Sequence, residues 1–136
     1  MPRVLIYGSD LWRDAAFMRL ALNRVHADRG FATVISPGGS SNSGRFADGV
    51  FAVALQWAKD NNVPFEMARV LFSIEPSELR ISYLTGPNKP DIAIQFGRDS
   101  GANHLTSALN SARITTAEFL AVQTEETYSN IWHKER

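Results

Sequence analysis

Three short stretches of this chain pair glycine with small polar or charged residues: Gly8-Ser9-Asp10, Gly38-Gly39-Ser40 and Gly97-Arg98-Asp99-Ser100-Gly101. Each follows a short apolar run and precedes a segment with helical spacing of apolar residues. A strand that breaks at glycine and opens a helix presents free backbone N–H groups and the positive end of a helix dipole to one point in space. That is the chemistry of anion holding, and above all of phosphate. The structural alternative is simpler. The glycines then only make sharp turns, and Asp99 or Ser100 only caps a helix.

The charged residues of these turns admit two roles each. Asp10 and Asp99 stand at helix starts, where a carboxylate caps the helix or meets ribose hydroxyls. An Asn at position 99 also caps, so Asp99→Asn is expected to change stability little. A phosphate beside Asp10 and Asp99 meets repulsion unless arginines compensate. Arg98, inside the turn, and Arg80, further back, are the candidates. Trp12 can stack on a base or serve as core. Ser9 and Ser40 lack a neighbouring His base, and no Gly-x-Ser-x-Gly elbow occurs, which argues against a serine hydrolase. His26, His104 and His133 show no metal-ligand spacing, so neither metal nor cofactor is expected, and no catalytic residue is assigned.

The elements that must position these turns alternate. Arg3–Tyr7 reads as a first strand, followed by a helix from about Trp12 to Arg29. Ser9 or Asp10 is its expected cap, Gly30 its stop, and Ala16, Phe17, Leu20 and Val25 its apolar face. Ala32–Ser36 is a second strand. After the small-residue loop from Pro37 to Gly44, a helix runs to Asn61 with Val50, Val53, Ala54, Trp57 and Ala58 buried. Phe65–Val70 is a third strand, and Pro76–Leu84 a short helix or an extended segment, of which the helix is preferred. Asp91–Phe96 is a fourth strand. It leads into a helix with Leu105, Ala108, Leu109 and Ala112 inward, and Thr115–Val122 is a fifth. Residues 1–122 form one domain, and 123–136 a polar tail or short helix. The alternation predicts an α/β domain with a mostly parallel sheet of about five strands, its three glycine turns at one edge.

Composition narrows the function classes. The chain has 136 residues with 44% hydrophobic, enough for a real core. No apolar run of 18 residues occurs, so no membrane helix is expected. A zero formal net charge argues against general binding to nucleic acid. The absence of cysteine excludes disulfides and thiol chemistry, and a cytoplasmic location is the simplest expectation. Eleven Arg against three Lys leaves an anionic small ligand open.

The stretch from Arg3 to Trp12, RVLIYGSDLW, resembles the opening of YspA-like members of the SLOG superfamily. Gly38-Gly39, then Ala54, Trp57-Ala58 and Val63-Pro64, is similar to that family's Gly-Gly loop, Ala-rich helix and Val-Pro step. Pro90–Gly97 with Gly101 looks like its Pro-Asp strand and glycine turn. Together these span roughly residues 3–120. The resemblance implies a Rossmann-like three-layer fold and a pocket for a nucleotide, a cyclic nucleotide or an ADP-ribose-like signal, built from the three turns. Arg80 would lie where the family carries an Arg-rich helix. Hydrolytic relatives carry Pro-Gly-Gly-x-Gly-Thr-x-x-Glu at the last turn, and no matching Glu follows Gly101 here. The expectation is therefore a sensor or sequestering protein, with N-glycosidic hydrolysis of a nucleotide as the alternative. Phe46, Val50, Phe51 and Trp57 put apolar residues on more than one side of the second helix, from which a homodimer or larger homo-oligomer is expected.

Overall fold

A computed structural model describes residues 1–38, 49–72, 77–119 and 132–133. The strands β1 (Arg3–Gly8), β2 (Thr33–Ser36), β3 (Phe65–Met67), β4 (Ile92–Phe96), β5 (Thr115–Phe119) and β6 (Trp132–His133) make one sheet in the order β3-β2-β1-β4-β5-β6. The first five are parallel, and β6 pairs antiparallel with β5 through Thr116↔His133 and Ala117↔Trp132. The helices are α1 (Ala15–Arg29), α2 (Val50–Asp60), α3 (Ser77–Thr85) and α4 (Ser100–Ser111), with a 3-10 turn at Arg69–Phe72. The expected α/β, Rossmann-like three-layer domain with five parallel strands is what forms.

Two layers of apolar contact follow from the period of two along each strand. Val4 and Ile6 of β1 join Ile92, Ile94 and Phe96 of β4 under α1 and α2. Leu5, Tyr7 and Ala93 face the other way, onto Leu71, Leu84 and the Ala102–Leu105–Leu109 stripe of α4. Because both faces are covered, β1 and β4 read as near-continuous apolar runs, broken in β4 by Gln95, rather than alternating ones.

The details depart from expectation in four places. First, α1 begins at Ala15, and its cap is Asp14, whose Oδ1 accepts the Phe17 N–H at 3.0 Å. Ser9 and Asp10 do not cap it, because the chain spends Leu11–Asp14 turning away from the sheet edge. Second, the buried face of α1 is Phe17, Met18, Ala21, Leu22 and Val25, which leaves Leu20 69% exposed. Once Met18 and Leu22 point at the sheet, the 100° step per residue carries Leu20 outward. Third, β3 ends at Met67, and Arg69 and Val70 lie in the 3-10 turn. Fourth, Trp132 and His133 are extended, while the rest of the tail expected to form a short helix lies outside the described residues, as do residues 120–122 of the expected fifth strand.

Three of the four apolar residues from which self-association is expected, Val50, Phe51 and Trp57, make contacts within the chain. Val50 and Trp57 are buried, and Trp57 packs on Phe31 at 5.0 Å and His26 at 5.4 Å between ring centroids. Phe51 meets Phe65 edge-on at 6.1 Å, and Phe46 lies outside the described residues. Among the described residues no helix is long and apolar enough to cross a membrane.

The cap assignment is testable. Asp14→Ala should cost about 1 kcal/mol in urea denaturation, the usual worth of an N-cap side chain.

Candidate functional site

Parallel order places the ends of β2, β1 and β4 side by side at one edge, so Gly8, Gly38 and Gly97 share it. Strand order reverses between β1 and β4. At such a switch point the two loops normally part and leave a crevice for a ligand. Here they close on each other. A Cβ on Gly8 would stand 2.0 Å from the Phe96 carbonyl oxygen, so only glycine lets β1 lie this close to β4. The Ser9 N–H donates to that same oxygen at 2.9 Å. Gly97 takes φ +75°, and a Cβ there would press on Trp12 and Ser9 at 3.1 and 3.2 Å.

Asp99 completes the closure. Its Oδ1 accepts the Ala102 N–H at 2.8 Å, as a helix cap, and its Oδ2 accepts the Asp10 N–H at 2.9 Å, across to the first turn. The carboxylate therefore occupies the position where a helix start would hold an anion. Arg98 forms a fork to Glu118 of β5, with Nε to Oε2 at 3.1 Å and Nη2 to Oε1 at 2.5 Å. Its guanidinium is paired with a carboxylate rather than directed at an open anion site. Trp12 packs against Phe17 and Phe96, each at 5.6 Å between centroids, and donates its indole N–H to the Asp14 carbonyl at 3.2 Å. Ser100 is the exposed first residue of α4, and Gly101 follows it.

Beneath this junction lies a polar chain that periodicity alone does not reveal. The Tyr7 hydroxyl meets Thr106 Oγ1 at 2.6 Å, Thr106 Oγ1 reaches Gln95 Oε1 at 2.9 Å, and Gln95 Nε2 donates to the Gly97 carbonyl at 2.9 Å. Burial is the main reason the Tyr7 phenol is pushed above its ordinary range, so it is a neutral hydroxyl at physiological pH. Gln95 in an otherwise apolar strand was the visible signal for this network.

The open space lies one strand over. A shallow cleft sits between the ends of β1 and β2 and the start of α2; it measures about 290 Å3 when the open solvent at its mouth is counted, but only about 20 Å3 of it admits the centre of a water-sized sphere. Gly8, Ser9 and Asp10 line it on one side, Ser36 and Gly38 on another, and Val50, Phe51 and Phe72 supply apolar wall. Ser9 and Ser36 are buried, and each Oγ accepts a backbone N–H two residues on, from Leu11 and Gly38, both at 3.0 Å. Each hydroxyl keeps its own proton to donate. Gly49 caps α2 without a side-chain hydrogen bond, and no acidic residue lies in the first turn of that helix.

The predicted site residues thus separate. Gly8, Ser9, Asp10 and Gly38 meet at the cleft, while Gly97, Asp99 and Trp12 belong to the closed junction beside it. Arg80 sits half-buried on α3 and is not among the lining residues. Gly39 and Ser40 lie outside the described residues. Sequence reasoning missed Ser36, Phe51 and Phe72 as wall, since nothing marks the last residue of a strand or a residue after an unexpected 3-10 turn as facing a cleft. Comparison with protein-family models, with curated proteins and with solved structures finds no match, so the site stands on its own geometry.

The double use of Asp99 corrects one expectation. An Asn can offer only one acceptor oxygen, so its amide N–H2 must oppose either the Ala102 or the Asp10 N–H. Asp99→Asn should cost about 1–3 kcal/mol rather than nothing, read by urea denaturation. Two glycines separate in the same assay. Gly8→Ala should cost about 3 kcal/mol, because backbone must move. Gly101→Ala should stabilise by about 0.5 kcal/mol, since a Cβ there meets only Asp99 Oδ1 at an ordinary 3.6 Å and Gly weakens a helix.

Proposed function

We propose that this chain binds a nucleotide-derived small molecule in the cleft between β1, β2 and the start of α2, as a sensor or sequestering protein. The observation that carries the reading is the composition of that cleft at the carboxyl edge of a parallel sheet. Buried hydroxyls from Ser9 and Ser36 and the turn at Gly8–Asp10 face aromatic and aliphatic wall from Phe51, Phe72 and Val50. A flat base suits the apolar wall, and sugar or phosphate oxygens suit the hydroxyls. The resemblance of the first, second and fourth strands and their turns to SLOG domains points to the same ligand class.

Binding is favoured over N-glycosidic hydrolysis by the state of Asp99. Ribosyl bond cleavage calls for a carboxylate able to engage the substrate. At the last turn, where hydrolytic relatives of the SLOG type carry their glutamate, Asp99 is the carboxylate, and both its oxygens are held by backbone N–H groups; among the residues lining the cleft, Asp10 is the carboxylate that hydrolysis would have to use.

The test is a panel of AMP, cyclic AMP, ADP-ribose and NAD, followed by thermal unfolding and by chromatography for released base. At least one member should stabilise the protein, by about 2.7 kcal/mol at a hundred times its Kd, with no base released. Base release would favour the hydrolase, and a flat response across the panel would remove the reading.

A further inference from the structure

We infer that the cleft takes a single mononucleotide unit, and that the tie from Asp99 to the Asp10 N–H shuts the half of the edge on which a second unit would lie; this rests on the binding reading above. In open α/β sheets a dinucleotide lies across the point where strand order reverses, with one half on each side of it. In this chain that point falls between β1 and β4. A ligand of two nucleotide units therefore needs the ends of β1 and β2 for one half. For the other it needs the turn after β4 and the start of α4.

That second half is occupied by the chain itself. The Asp10 and Ala102 N–H groups are the donors that a second phosphate would use there, and both are spent on the Asp99 carboxylate, at 2.9 and 2.8 Å. The Ser9 N–H is spent on the Phe96 carbonyl at 2.9 Å. Arg13 pins the first turn further, with Nη1 donating to the Asp10 and Trp12 carbonyls at 2.7 and 2.6 Å. Trp12 packs on Phe96 and stands 3.1 Å from where a Cβ on Gly97 would be. A second unit gains these N–H groups only by breaking bonds that the chain already makes, so it adds no net affinity.

The first half is open. The residues lining the cleft come from β1 and the turn after it, from the end of β2, from the start of α2 and from Phe72. Among the described residues that line it, none belongs to β4, to the turn after β4 or to α4. Ser9 and Ser36 each retain a hydroxyl proton for a ligand oxygen, and Phe51 and Phe72 offer apolar wall. These groups serve one base and one sugar phosphate, and the ligand class is a mononucleotide rather than a dinucleotide or ADP-ribose.

The experiment is calorimetric titration of AMP, ADP-ribose and NAD into wild type and Asp99→Ser. Serine also caps a helix, so it keeps an acceptor for the Ala102 N–H, while its shorter side chain releases the Asp10 N–H. Circular dichroism verifies the fold of the variant. Wild type should bind AMP, with ADP-ribose and NAD no more than about threefold tighter. Asp99→Ser should raise the affinity for ADP-ribose and NAD relative to AMP. ADP-ribose or NAD binding to wild type beyond that threefold margin overturns the inference while the nucleotide reading stands, and so does a folded variant that keeps the wild-type ratio. The wild-type comparison decides even where the variant is too unstable to titrate. Wild type that binds none of the three removes both.

Discussion

The close approach of β1 to β4 is the constraint on which the rest of this edge depends. Two parallel strands whose ends nearly touch require Gly8, because any side chain there would enter the Phe96 carbonyl. Given that contact, the two following loops leave the sheet in contact with each other, Gly97 beside Ser9 and Trp12. Their backbone N–H groups are satisfied mutually: Ser9 donates to the Phe96 carbonyl, and Asp10 and Ala102 donate to the Asp99 carboxylate. A crevice that the α/β topology normally leaves at this reversal of strand order is thereby filled with protein. The open volume moves one strand over, to β1 and β2, where Pro37 and Gly38 turn away and α2 starts.

Asp99 illustrates why a helix cap and an anion site compete for the same atoms. The N–H groups at a helix start need acceptors, and either a side chain or a ligand can supply them. An Asp at the cap position settles that competition in favour of the chain. The start of α2 is different in kind, since Gly49 brings no side-chain acceptor. Two helix starts at the same edge of one sheet thus differ in their caps: Asp99 supplies a side-chain acceptor and Gly49 does not.

Much of the fold could be read from the sequence, because burial on both faces writes long apolar runs and glycine marks where they stop. The strands at Arg3, Thr33, Phe65, Ile92 and Thr115, the inward face of α2 and the stop at Gly30 all follow from that. What could not be read was geometry between turns. Arg98 sits in a glycine turn, as anion-binding arginines do, yet β4–β5 pairing sets Glu118 beside Gln95 and within its reach. The phase of α1 was misjudged because Ala16 and Leu20 keep helical spacing as well as Met18 and Leu22 do, and only the sheet chooses between the two faces. The third strand stops at Met67, short of the expected Val70, because Arg69 opens a 3-10 turn that apolar spacing does not announce.

The buried polar chain of Tyr7, Thr106 and Gln95 ties these observations together. A polar network inside an apolar layer is costly unless every member is satisfied, and here each side chain has a partner. Gln95 spends its amide on the Gly97 carbonyl, which holds the β4 turn down onto Trp12 and Ser9. Tyr7, at the other end, lines the cleft between β1 and β2. The side chains of the network lie on the α4 face of the sheet, while Tyr7 as a residue also borders the cleft at the end of β1. Ser9 and Ser36 stand at the ends of β1 and β2, each with its hydroxyl oxygen accepting a backbone N–H two residues on, so the proposed site is framed by strand ends whose hydroxyls are already positioned.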